Sequence, residues 1–87
     1  MQPDDIKAFI ETGLACTEVY VEGDGTHFTA AVISDAFIGK SRIQKQQLVY
    51  DTVRPQLLDG TLHALSLNTF TTAEWQQLKE QLDKENN

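Results

Sequence analysis

The sequence predicts an α+β domain in the order helix, strand, strand, helix, short helix, strand, helix. The three strands form one sheet, with the helices packed mainly on one face of it. Three observations point there. Apolar residues recur at helical spacing near both ends of the chain. Between them lie three runs rich in β-branched and aromatic residues. A glycine turn, Gly23-Asp24-Gly25, joins the first two runs as a hairpin.

Pro3-Asp4-Asp5 marks the first helix start, because proline suits the first turn and early acids suit the positive end of the helix dipole. Ile6, Phe9, Ile10 and Leu14 then share one face, and Gly13 lies near the helix end. Residues 17–22 read as a strand centred on Val19, Tyr20 and Val21. Residues 28–34 read as the next, with Phe28, Ala30 and Val32 on one face and Ala31 and Ile33 on the other. His27 stands where the turn enters this strand.

Residues 37–50 form the middle of the chain. Phe37 is a bulky anchor and Gly39 a flexible link, with a loop over 38–41. Ile43, Leu48 and Val49 fit a short helix, and Tyr50 closes its packing face. Asp51 or Thr52 is placed to cap a second short helix ending near Leu58, with Pro55 in its first turn. Asp59-Gly60 is a turn, and residues 62–70 read as the third strand. Thr71 and Glu74 have capping-box spacing, and Trp75, Leu78 and Leu82 line one face of the last helix. The polar tail, residues 83–87, is expected to fray.

Eighty-seven residues suit a single domain with one modest core, and 40% apolar with 23% charged residues is ordinary globular composition. No run of 18 apolar residues offers a membrane span. The N-terminus is acidic where a signal peptide is basic, so the chain reads as unprocessed and cytosolic. One cysteine, Cys16, forms no internal disulfide, which fits a reducing compartment.

A net charge of −6 disfavours a nucleic-acid binder, which needs a clustered basic excess. Lys40, Arg42 and Lys45 nevertheless cluster in the central segment. They would carry any nucleic-acid contact, and they suit an acidic protein partner at least as well. The segment therefore reads as a partner-docking stretch, using Phe37, Gly39, Lys40, Ser41, Arg42 and Lys45, with the histidines beside it. A solvated helix end is the plainer alternative for the cations.

No catalytic signature is present: no glycine-rich phosphate loop, no G-x-G-x-x-G and no closely spaced Cys or His ligand set. The chain is read as a non-enzyme. Its only two histidines, His27 and His63, are the candidate metal ligands, because neutral imidazole binds iron or zinc. Alternation puts His63 with Leu65 and Leu67 near the rim of the sheet. The plainer alternatives are a polar loop residue for His27 and a half-buried backbone-bonded residue for His63. Two histidines do not close a metal site, since structural zinc takes four ligands, so a metal here would be shared across an interface. A lone cysteine such as Cys16 is more often a small buried residue than a ligand.

The chain resembles the BolA family, most nearly its small bacterial IbaG-like branch. The resemblance spans nearly the whole chain. It rests on Phe37-x-Gly39-x-Ser41 followed by Lys45-Gln46-Gln47-Leu48-Val49-Tyr50, on His63-Ala64-Leu65-Ser66-Leu67 with Thr69-Phe70-Thr71 and Glu74-Trp75, and on Gly23-Asp24-Gly25-Thr26-His27-Phe28. It implies an αββααβα fold related to the class II KH domain. It also implies partnership with a monothiol glutaredoxin of the Cys-Gly-Phe-Ser type, in which a [2Fe–2S] cluster is shared. The glutaredoxin cysteine and bound glutathione supply thiolates, and this chain supplies His63 and, from the first hairpin loop, His27. No cofactor is expected in the isolated protein, and a homodimer of that form is compatible with the sequence. Many members carry Arg-His-Arg where this chain has Lys45-Gln46-Gln47, which removes charge from the helix that some relatives are thought to present to DNA. The Gly-x-x-Gly loop of true KH domains is also missing. A KH-like transcriptional regulator is the alternative function.

Overall fold

The computed structural model describes residues 1–85. The elements follow the expected order: α1 (Pro3–Gly13), β1 (Glu18–Gly23), β2 (His27–Ile33), a 3-10 turn (Asp35–Phe37), α2 (Arg42–Thr52), α3 (Arg54–Leu58), β3 (Ala64–Phe70) and α4 (Thr72–Glu85). The sheet order is β1-β2-β3, antiparallel in the hairpin and parallel between β2 and β3.

One face of the sheet carries the core. The register aligns Val19 with Val32, Phe28 with Leu65 and Ala30 with Leu67, so these side chains project together. Ile6 and Ile10 of α1, Phe37, Val49 of α2, Val53 and Leu62 close over them. α1 can pack this way because its isoleucines are one turn apart and its first turn is tied, with Asp5 Oδ2 accepting from the Gln2 amide at 2.9 Å. Ser34 is the buried polar residue of this region. Its hydroxyl donates to the Ala15 carbonyl at 2.6 Å and accepts from the Ala36 amide at 3.0 Å, so burial leaves it satisfied.

Helices α1, α2 and α3 serve the core face, and α4 is the exception. Trp75 packs against Tyr20 and Phe70, with ring centroids 5.8 and 5.3 Å apart. Alternation puts both partners on the opposite face, where Ile33 is also fully buried. The capping box at its start forms as expected: Glu74 Oε1 accepts from the Thr71 amide at 2.8 Å, and Thr71 Oγ1 from the Glu74 amide at 3.2 Å. α4 continues to Glu85, past the expected fraying point at Asp83, and residues 86–87 lie outside the described residues.

Two local expectations change. β3 begins at Ala64, because the Leu62 amide bonds back to the Gln56 carbonyl at 3.0 Å and the Leu62 side chain enters the core. Neither Asp51 nor Thr52 caps α3. Both lie inside α2, where the Thr52 hydroxyl donates to the Val49 carbonyl at 2.6 Å and Asp51 pairs with Arg54. Pro55 does sit in the first turn of α3.

Candidate functional site

The parallel strands β2 and β3 start at the same end of the sheet, and each is entered past a histidine. His27 is the first residue of β2, and its Cα partner is Ala64, the first residue of β3. His63 immediately precedes Ala64. Adjacent strands and one peptide step therefore put the two histidine Cα atoms within roughly 9 Å. Both histidines are exposed. His63 stands outside β3, so strand alternation does not assign it to the Leu65 face, which corrects that expectation.

The loops that present the histidines are held by carboxylates. Asp24 Oδ1 accepts from the amides of Thr26 and His27, both at 2.9 Å. These bonds, His27 first, hold the Asp24 carboxyl below its ordinary range. Asp59 Oδ1 accepts from the Thr61 amide at 2.8 Å. The Thr61 hydroxyl and amide lower the Asp59 carboxyl likewise. Gly25 and Gly60 have φ of 101° and 81°, a backbone region where a side chain is strained. His27 also lines an open hollow of about 520 Å³ with Asp24, Thr29, Ala64 and Ser66.

The donor set at this end is two imidazoles. Among the described residues no group of three or more His, Cys, Asp or Glu is placed to hold a metal ion. Cys16 is no help to it. The Thr17 amide bonds the Ile33 carbonyl at 2.8 Å, which puts Cys16 beside the far end of β2. Burial, and then Glu11, push its thiol upward, so it is a poor thiolate donor.

The candidate docking segment starts at that far end too. The chain reaches the 3-10 turn only after the seven residues of β2, roughly 20 Å of strand. Arg42 and Lys45 flank a hollow of about 290 Å³ with Thr69 and Phe70, at the close of β3. The start of this segment, through Arg42 and Lys45, is therefore separated from the histidines by the length of β2, while its last residue, Tyr50, runs back and donates to the Leu65 carbonyl at 3.0 Å.

Its residues divide by role. Phe37 is fully buried in the core, so it anchors the turn from inside and presents nothing to a partner, a correction to its docking assignment. Gly39 turns the chain with φ of 76°. Ser41 caps α2, its hydroxyl accepting from the Gln44 amide at 3.2 Å while Gln44 Oε1 accepts from the Ser41 amide at 2.9 Å. Lys45 is only 16% exposed at its side chain and pairs with Glu74 at 3.5 Å, so its charge is used within the fold. Lys40 and Arg42 remain exposed.

Sequence reasoning missed the apolar surface around them. Ile38 is 65% exposed and Ile43 70% exposed. Helical geometry held a clue for Ile43: six residues at 3.6 per turn carry it about 240° around the axis from Val49, which faces the core. Ile38 offered no such signal, because periodicity does not say which of Phe37 and Ile38 a turn buries.

Comparisons with known proteins agree on one family. A family model described as BolA-like protein matches residues 8–74. The chain is 37% identical over 75 residues to the acid stress protein IbaG of Escherichia coli K12, covering 86% of this chain and 89% of that protein. It is 31% identical over 80 residues to a protein of Vibrio cholerae named DNA-binding transcriptional regulator BolA, covering 92% of this chain and 72% of that one. Among solved structures, a BolA protein homologue from Coxiella burnetii superposes with a TM-score of 0.74 at 37% identity, covering 87% of this chain and 97% of that one.

Proposed function

The chain belongs to the BolA family, and from that premise we propose that it is a non-enzymatic partner of a monothiol glutaredoxin. In that role it lends His63 and His27 to a [2Fe–2S] cluster that is cargo, and serves iron–sulfur trafficking or iron and redox regulation. The observation that carries the reading is the incomplete donor set: two exposed histidines enter adjacent strands at one end of the sheet. Such a set suits a cluster whose remaining ligands, the glutaredoxin cysteine and glutathione, come from a second protein. Imidazole ligation raises a cluster's potential relative to thiolate ligation, and it requires the neutral ring.

The surface favours a protein partner over a polyanion. Lys45 is paired with Glu74, which leaves Lys40 and Arg42 beside two exposed isoleucines on a chain of net charge −6. No helix is long and apolar enough to cross a membrane among the described residues.

The test is a visible absorption and circular dichroism spectrum of the chain co-expressed with a monothiol glutaredoxin, beside His63→Ala and His27→Ala. Wild type is expected to give cluster bands that shift or vanish in both variants. A cluster spectrum identical in all three proteins would remove the histidines from the ligand set.

A further inference from the structure

The two histidine loops are built alike. Asp24-Gly25-Thr26 leads to His27, and Asp59-Gly60-Thr61 leads through Leu62 to His63. In each, the aspartate Oδ1 accepts from the threonine amide two residues on, at 2.9 and 2.8 Å, and the glycine between them is left-handed. The strands that follow do not share this likeness: β2 reads HFTAAVI and β3 reads ALSLNTF. The matched chemistry is confined to two turns that precede the chain's only two histidines and meet at one end of a parallel strand pair.

We propose that Asp24 and Asp59 are positioning residues, each locking the turn that sets its histidine at the mouth of a strand, so that both imidazoles are offered together to one ligand. The proposal rests on the metal-ligand reading above and deepens it. Exposed loops at strand ends are otherwise free to move, and a ligand would have to order them on binding, at a cost in affinity. Each turn removes part of that freedom in advance. The locks differ in detail. Asp24 reaches the His27 amide itself, whereas the Leu62 amide is taken by Gln56, and the buried Leu62 side chain pins the second loop instead. Groups that orient a metal ligand without touching the metal typically change affinity 10–100-fold when removed.

The test uses the isolated chain and zinc ion alone, so its outcome is independent of any glutaredoxin. The imidazole signals of His27 and His63 are followed by NMR as zinc is added. Wild type is expected to show both signals moving on one common curve. Asp24→Ala and Asp59→Ala should weaken that binding about tenfold or more and separate the two curves. Asp24→Asn and Asp59→Asn, whose side-chain oxygens accept the same amide bonds, should restore it. Thermal melts and amide exchange at Thr26 and Thr61 show that the variants fold and whether each turn is lost. Separate curves in the wild type, folded alanine variants that bind as wild type does, or asparagine variants that behave like alanine would each overturn the proposal. Concerted zinc binding without a cluster in the glutaredoxin complex would instead count against the partner reading and leave the positioning intact.

Discussion

Phe37 separates what a residue type suggests from what its surroundings decide. A large aromatic two residues before a flexible glycine reads as an anchor, and it is one, but directed inward. The direction comes from Ser34, whose satisfied burial turns the chain through Asp35–Phe37 and lowers the ring onto the core. Phe37→Ala should therefore cost about 3–5 kcal/mol of folding stability, the range for a truncated core aromatic, in urea unfolding. A change near zero would return Phe37 to the surface. Lys45 teaches the same lesson for charge. Its place in a basic cluster is legible from sequence, but its pairing with Glu74 depends on α4 coming back across the fold. The histidines lie at the other extreme. Their position close to turns was legible, because Asp-Gly pairs announce turns without help from tertiary structure, but that His63 falls outside β3 was not.

At the scale of the element, α4 is held by a few partly exposed ties. Like α3, it has no buried residue. Its ties are Trp75 on Tyr20 and Phe70, a Thr17–Thr72 hydroxyl contact at 3.1 Å, Lys79 with Glu18 at 3.7 Å, and Lys45 with Glu74. The Thr71 amide and hydroxyl, then Lys45, lower the Glu74 carboxyl. The Tyr20 hydroxyl, then Lys79, lowers that of Glu18. A carboxyl depressed in the folded state adds its full stability above the ordinary value of 4.5, and loses it as pH falls through the folded value. Tyr20 is shifted the other way by its bond to Glu18, so that contact also weakens in alkali. Below about pH 4.5 the Trp75 fluorescence should change before the far-ultraviolet circular dichroism signal does, and Glu74→Gln should move that change toward neutral pH. Coincident transitions would show that α4 is no looser than the rest. Which face α4 covers was not legible, since its apolar stripe specifies a contact but not the side of the sheet that supplies it.

Across the whole molecule, the class, the element order and the hairpin were readable because periodicity and turn chemistry are local. What was not readable is the distance between the two candidate regions. In sequence, His27 and His63 flank the central segment; in the fold, the length of β2 separates them from Lys40, Arg42, Ile38 and Ile43. Two regions at opposite ends should respond separately to mutation. Lys40→Glu with Arg42→Glu should slow association with a cluster-free glutaredoxin and flatten its salt dependence, while the spectrum of any complex that forms stays unchanged. Stopped-flow rates at two ionic strengths check this, and a spectrum that shifts with these variants would join the two regions. The parallel pairing of β2 with β3 bears on biosynthesis as well. Since α2 and α3 lie between the paired strands in chain order, a ribosome releases the first histidine turn well before the second. The nascent chain then presents one imidazole alone, and the two-histidine end is assembled only when loop closure brings β3 home.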